Sequence, residues 1–224
     1  SHKNRKYAVN CGKSYGEWAE PNDVMAFHGI DFFIPHPEES TAYTYFTLKR
    51  VLEIASILGK PETPQLARIR EYSEGAKRAY QELVTKGYRA FAAGCRRSYQ
   101  ALRETPAYSL DTDRQAKLVR PLYMGLLTPE QEAFARKRLI AALDHYGWRL
   151  GTGFLSTPMI LDVLAGLDIS YAYRLLENEE MPGWLFMPKS GATTIWEAWE
   201  GNQKDKWIAS LNHYSKGAVC EWLM

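Results

Sequence analysis

The chain has 224 residues, of which 46% are hydrophobic and 24% charged, with 28 basic against 26 acidic side chains. A formal charge of +2 gives no broad cationic field, which argues against nucleic acid as a main partner. No apolar run approaches the roughly 18 residues of a membrane span, so no membrane partner is expected, and no secretory leader opens the sequence.

Helical signals dominate along the chain. From Thr41 to Leu58 the apolar positions Ala42, Phe46, Leu48, Val51, Leu52, Ala55 and Leu58 recur at threes and fours, and Gly59 then Pro61 supply a stop. Thr63-Pro64 restarts the pattern as N-cap and first helical residue. Leu66, Ile69, Ser73, Ala76, Tyr80 and Leu83 continue it until Gly87, so the two helices form an αα-hairpin. A third helix is expected around 114–126. Thr128-Pro129-Glu130-Gln131 reads as a capping box opening a fourth, with Phe134, Leu139, Ala142, Leu143 and Tyr146 on its packed side and Gly147 at its end. Thr157-Pro158 repeats the same punctuation, and Met159–Leu164 is apolar nearly all round, as in a helix buried on every side. Asp168 caps a short helix through Leu176, before Pro182. The last stretch, Ser215–Met224, reads as an apolar helix that stops without a polar tail, which suggests a piece of a longer polypeptide. The hairpins differ in length and lack the Trp, Leu-Gly and Tyr spacing of a tetratricopeptide array.

Three stretches break the pattern: Gly12–Ile34, Tyr88–Leu110 and Gly183–Tyr214. The last is rich in Gly, Pro and polar residues yet carries Trp184, Trp196, Trp199 and Trp207. Aromatics in such a loop either plug the core or line a cleft. Cys11, Cys95 and Cys220 are far apart and odd in number, which argues against a disulfide framework or a zinc site. Such thiols favour a cytoplasmic setting; Ser1-His2 reads as a tag remnant, and an export signal lost ahead of it would reverse that. His2, His28, His36, His145 and His213 have no ligand-like spacing, so no metal and no cofactor is expected.

The densest cluster of chemistry is Gly191-Ala-Thr-Thr-Ile-Trp-Glu197-Ala-Trp-Glu200, followed by Ser210-Leu-Asn-His213-Tyr214. Carboxylates beside indoles suit sugars: an indole face covers the C–H face of a pyranose, and a carboxylate accepts from hydroxyls. A carboxylate withdrawn from water can also be tuned for proton transfer, and glycoside hydrolysis generally needs two such groups. On the residues alone, core packing remains the commoner fate of Trp196 and Trp199, an ion pair that of Glu197, and a structural hydrogen bond that of His213.

Taken together, Gly151-Thr-Gly-Phe154-Leu-Ser-Thr-Pro158, Ala172-Tyr-Arg-Leu-Leu176, the Glu197 motif and the His213 motif closely resemble the bacterial α-L-rhamnosidases. Tyr15-Gly-Glu-Trp18, Thr41-Ala-Tyr43 and the helix to Gly59 fit the same family in the same order, so the resemblance runs from about residue 10 to the end. It implies an all-α fold in which residues 1–224 are a single domain. That domain would be the C-terminal part of an (α/α)6 six-hairpin barrel, incomplete here.

The same resemblance implies roles. Glu197 is similar to the general base of an inverting hydrolysis, and His213 to a histidine that hydrogen-bonds bound rhamnose. Trp18 resembles an aromatic wall of the sugar pocket, supported by Glu17, while Trp196 shapes the cleft or anchors the loop. Glu200, by its closeness in sequence and not by the resemblance, is a candidate supporting group for Glu197. Ser156 stands where many relatives are expected to have glycine. The partner would be a rhamnose-containing glycan or glycoside. The family's general acid would lie N-terminal to residue 1, so the isolated chain is expected to be inactive or weakly active. Six or seven helices would expose inner apolar faces, favouring pairing with the absent N-terminal part or with a second copy. Two alternatives stand beside this reading: a six-hairpin glycosidase of another sugar specificity, and a non-catalytic carbohydrate-binding or scaffold module.

Overall fold

The computed structural model describes residues 6–9, 15–21, 23–24, 36–86, 110–201 and 209–224. Among these the regular structure is helical throughout, with no strand, which is the all-α class expected. The chain divides into two compact units. One comprises Ser1–Gly16, Gly29–Leu110 and Met124–Pro129; the other comprises Glu17–His28, Asp111–Tyr123 and Glu130–Met224. Cys11, Cys95, His28, Trp207 and nearly all of the Tyr88–Leu110 stretch lie outside the described residues.

In the first unit, α1 (Pro37–Ile57) and α2 (Pro64–Lys86) pack as a helical hairpin. Proline at the first helical position fixes φ, and Glu38 and Glu39 oppose the positive end of the helix dipole, so α1 starts four residues before the apolar periodicity does. It ends as expected. Gly59 takes a left-handed φ of +58°, Lys60 N–H donates to Ala55 O (2.9 Å) and Gly59 N–H to Ser56 O (3.0 Å), the Schellman pattern. Leu66 N–H donates to Thr63 Oγ1 (3.2 Å), so Thr63 caps α2. Ala42, Tyr45, Ala76, Ala79, Tyr80 and Leu83 form the interior, and Tyr80 Oη donates to the buried Glu38 carboxylate at 2.5 Å. The packed face expected of α1 is not buried to its end: Val51 and Leu58 are exposed, with Ile54 and Ile57 beside them.

The second unit holds α3 (Gln115–Met124) and α4 (Pro129–His145), each but for its one residue nearest the 124–129 connection, with α5 (Thr157–Ala165), α6 (Ile169–Leu176) and α7 (Phe186–Lys189). A 3-10 turn (Ser215–Ala218) and α8 (Val219–Leu223) follow. α4 terminates at a second Schellman cap, Gly147 N–H to Asp144 O (3.1 Å) and Trp148 N–H to Leu143 O (2.7 Å), with Gly147 at φ +65°. Its buried face is Ala135, Leu139, Ala142 and Leu143; Phe134, expected there, is exposed. α5 is not buried on every side either: Met159, Ile160, Leu161 and Leu164 are buried while Asp162 faces solvent. Asp168 caps α6 by accepting from Ser170 N–H (2.8 Å). The C-terminal stretch, expected as one helix, is a 3-10 turn followed by a five-residue helix, both packed on α5. Among the described residues no helix is long and apolar enough to cross a membrane.

Candidate functional site

The site lies in the second unit, where irregular segments are held together by main-chain pairing and by buried side chains. The 195–197 stretch pairs with 210–213: Glu197 N–H donates to Ser210 O (2.9 Å) and His213 N–H to Ile195 O (2.8 Å). The two motifs singled out in the sequence are thereby clipped to each other. Ser210 N–H also donates to Glu197 Oε2 (2.9 Å), so the carboxylate is aimed by the strand of chain opposite it. Glu197 is half-buried.

The Glu17–Ala19 stretch reaches the same place from far away in sequence. The Trp18 indole N–H donates to Glu197 Oε1 at 3.4 Å, a long contact that puts the ring beside the carboxylate. Phe154 N–H donates to Trp18 O (2.8 Å), and the Phe154 ring stacks on His213 with centroids 4.7 Å apart. Trp18 and His213 are therefore joined through Phe154. This approach of backbones demands glycine at 153: a Cβ there would stand 2.2 Å from Trp18 O and 2.8 Å from Glu17 O. The Gly151 loop is held in turn by Gln115 of α3, which accepts from Gly151 N–H (2.8 Å) and donates to Arg149 O (2.9 Å).

Glu17, grouped with Trp18 by the sequence, lies in the interior. It is buried, and both oxygens are occupied by the protein. Oε1 accepts from Gly153 N–H (3.0 Å) and Ser156 N–H (2.7 Å); Oε2 accepts from Ser156 Oγ (2.8 Å) and from the Arg120 guanidinium, which is itself fully buried. Its charge sits at the N-terminal end of α5, where the helix dipole also favours an anion. Ser156, noted in the sequence only as standing in place of glycine, is the N-cap residue of α5 and one of these donors.

The described loop tryptophans are placed in two ways. Trp184 and Trp199 plug the core: they are buried edge-to-face at 6.0 Å, with indole N–H groups donating to Lys216 O (2.9 Å) and Thr152 O (2.8 Å). Trp196 is half-buried, edge-to-face with Phe186 (6.4 Å) and lying over Gly201, where a Cβ would meet its ring at 2.6 Å. That contact anchors the loop. Glu200 is half-buried, and its charge acts on Lys216.

Lys216 is the site residue that sequence reasoning missed. Its side chain is fully buried, with Nζ 4.4 Å from the Trp199 ring centroid and 5.3 Å from that of Phe154. Nζ donates to Glu197 O and to Ala19 O (3.4 Å). Burial pushes its pKa down to about 7 against the opposing pull of Glu200 and Glu197. A lysine at the start of the mostly apolar 216–224 run, five residues before its other charge, Glu221, was the available signal.

With this geometry in view, comparison with known proteins is decisive. The family model described as the bacterial alpha-L-rhamnosidase 6 hairpin glycosidase domain matches residues 1–224. The chain belongs to that family. It is 29% identical over 215 residues to an alpha-L-rhamnosidase of Streptomyces avermitilis, covering 93% of this chain and 18% of that protein. An alpha-L-rhamnosidase of Formosa agariphila is 28% identical over 216 residues, covering 94% and 21%. Among solved structures, the Streptomyces avermitilis alpha-L-rhamnosidase complexed with L-rhamnose superposes with a TM-score of 0.70 at 26% identity, covering 99% of this chain and 19% of that one. The alpha-L-rhamnosidase of Aspergillus terreus shares the fold with a TM-score of 0.70 at 24% identity, over 93% and 22%. This rhamnosidase-family domain thus spans about a fifth of the length of the relatives it matches. Among its described residues no group of three or more His, Cys, Asp or Glu side chains gathers as metal ligands would.

Proposed function

We propose that this rhamnosidase-family domain supplies the water-activating side of an inverting hydrolysis of terminal α-L-rhamnosides, with Glu197 as the general base. The observation that carries the reading is the half-buried Glu197 carboxylate. It is fixed by Ser210 N–H on one oxygen and met by the Trp18 indole on the other. Neither partner neutralises it, so it keeps the capacity to accept a proton. Residues 1–224 are read as the C-terminal part of one (α/α)6 catalytic barrel.

In this reading Glu197 takes a proton from a water molecule as that water's oxygen bonds to the anomeric carbon. The bond to the leaving oxygen breaks on the opposite face, and the product is the β-anomer. The leaving oxygen receives its proton from a second carboxyl group, which the family resemblance puts outside this sequence. Trp18 covers an apolar sugar face and His213, steadied on Phe154, hydrogen-bonds a hydroxyl. Glu17 acts at one remove by holding the backbone on which Trp18 sits, and Trp196 anchors the base loop. The relative solved with L-rhamnose supports this choice of sugar.

The test is hydrolysis of an aryl α-L-rhamnoside by the protein at its full natural length, wild type against Glu197→Gln. Loss of a positioned proton-transfer group lowers kcat by about 10²–10⁴. Activity within about tenfold of wild type would mean that another group activates the water. A panel of aryl glycosides in the same assay separates rhamnose from other sugars, and calorimetry with L-rhamnose separates a binding module from an enzyme.

A further inference from the structure

We infer that Lys216 is a positioning residue for the candidate base, its buried ammonium drawing the carbonyls of Ala19 and Glu197 to one point and so setting Trp18 against the Glu197 carboxylate. The inference rests on the reading of Glu197 given above and adds a residue and a pH response to it.

The geometry is specific. Trp18 follows Glu17 and precedes Ala19; Glu197 carries the carboxylate that Trp18 meets. Lys216 Nζ donates to the main chain immediately beside the first and to the main chain of the second. These two segments are 178 positions apart (197 − 19) and belong to no common helix. The ammonium is closed in by the Trp199 and Phe154 rings, and both faces attract a cation. Phe154 is also the residue that ties Trp18 O to the His213 ring. One buried nitrogen therefore links the segments that carry Trp18 and Glu197 and lies against the Phe154 ring that stacks on His213.

The grip depends on the proton. An ammonium offers three N–H donors and a full charge to two carbonyls and two rings; a neutral amine offers two weak donors and no cation–π attraction. The charged groups acting on it come from the 191–201 segment, Glu197 and Glu200. In the 17–20 segment, Glu17 is turned to Arg120 and Glu20 to Arg114. The Phe154 side contributes only the ring. Desolvation brings the pKa of Lys216 down to about 7, inside the range in which an enzyme works. The positioned state is thus full below neutrality and fades above it, which adds an alkaline limb to the activity without any general acid being involved.

Two measurements test this. In the full-length protein Lys216→Met keeps the volume and removes the charge, and because no buried charge is left behind the variant is expected to fold. For an aryl α-L-rhamnoside its kcat should fall about tenfold or more at pH 6, as small misplacements of reacting groups do. KM should change less than about threefold, and the limb near pH 7 should vanish from the profile. An unchanged profile would overturn the inference; a merely structural lysine would alter stability and leave the limb in place. The second measurement is NMR of wild-type protein with 13C-lysine and 15N-tryptophan. Lys216 should titrate near pH 7, with the Trp18 indole N–H resonance moving in step. An indole signal indifferent to that titration would overturn the inference even where Lys216→Met fails to fold. Because the NMR reading needs no turnover, it stands or falls separately from Glu197→Gln.

Discussion

Two carboxylates flank Trp18, one next to it in sequence and one 179 positions away, and the protein treats them in opposite ways. Glu17 is buried and accepts from two backbone N–H groups, a serine hydroxyl and the guanidinium of Arg120. Glu197 is half-buried, accepts one backbone N–H and one distant indole N–H, and keeps a side open. A carboxylate whose lone pairs are all taken by fixed donors cannot accept a proton without breaking the structure around it. One left partly unmet, on a backbone that is itself well held, can. Sequence proximity to the aromatic wall is thus a poor guide to chemistry here; the saturation of the oxygens is a better one.

The sharpest way to break that contrast is Glu17→Gln. If Glu17 holds the fold, removing its charge breaks the ion pair with the fully buried Arg120, and chemical denaturation should show a loss of about 3–5 kcal/mol. If Glu17 were a sugar ligand, stability would hold and KM for the rhamnoside would rise. Gly153→Ala probes the same cradle from the backbone. Its Cβ would collide with Trp18 O and Glu17 O, and overpacking of this kind costs about 1–3 kcal/mol. Activity should fall with it, because Trp18 is displaced from Glu197. Gly125→Ala separates crowding from backbone strain: its Cβ would meet nothing within 4 Å, so it should lose only the cost of an L residue at φ +70°, about 1–2 kcal/mol, and keep its activity.

One further effect runs against the catalytic trend. The folded-state pKa of Lys216 lies near 7 and that of a free lysine at 10.5, so between these values the unfolded chain binds a proton that the folded chain does not. Stability from this group therefore rises with pH across that window, and is at its least below pH 7, where a charge is buried. Urea midpoints from pH 6 to 9 should rise more in wild type than in Lys216→Met. A wild-type curve parallel to that of the variant would show that Lys216 is not a buried titrating group.

Much of the fold was legible because helix ends are local events. Gly59, Thr63, Gly147 and Asp168 act through neighbours within five residues, and each ends or starts a helix where the punctuation placed it. Faces were less legible. Val51, Leu58 and Phe134 satisfy a helical period yet lie exposed, since periodicity marks a stripe without saying how far along it a partner extends. At the site, the pairing of 195–197 with 210–213 and the approach of Trp18 depend on contacts across more than ten and more than a hundred positions, which spacing does not encode. The motif resemblance supplied Glu197, Trp18 and His213 as a set. Glu17 was grouped with Trp18 by adjacency, and its true partner, Arg120, stands 103 positions on. Lys216 was passed over because a lysine in an apolar run reads as a solvated interruption until Trp199 and Phe154 are seen to enclose it.

The difference between the two carboxylates is tested most directly by a crystal structure of the full-length protein with L-rhamnose bound. The account predicts the Glu197 carboxylate facing the anomeric carbon across room for one water, with Trp18 and His213 against the sugar and Glu17 still joined to Arg120 and Ser156. A sugar whose hydroxyls are bound by Glu17, or an anomeric carbon turned away from Glu197, would contradict it.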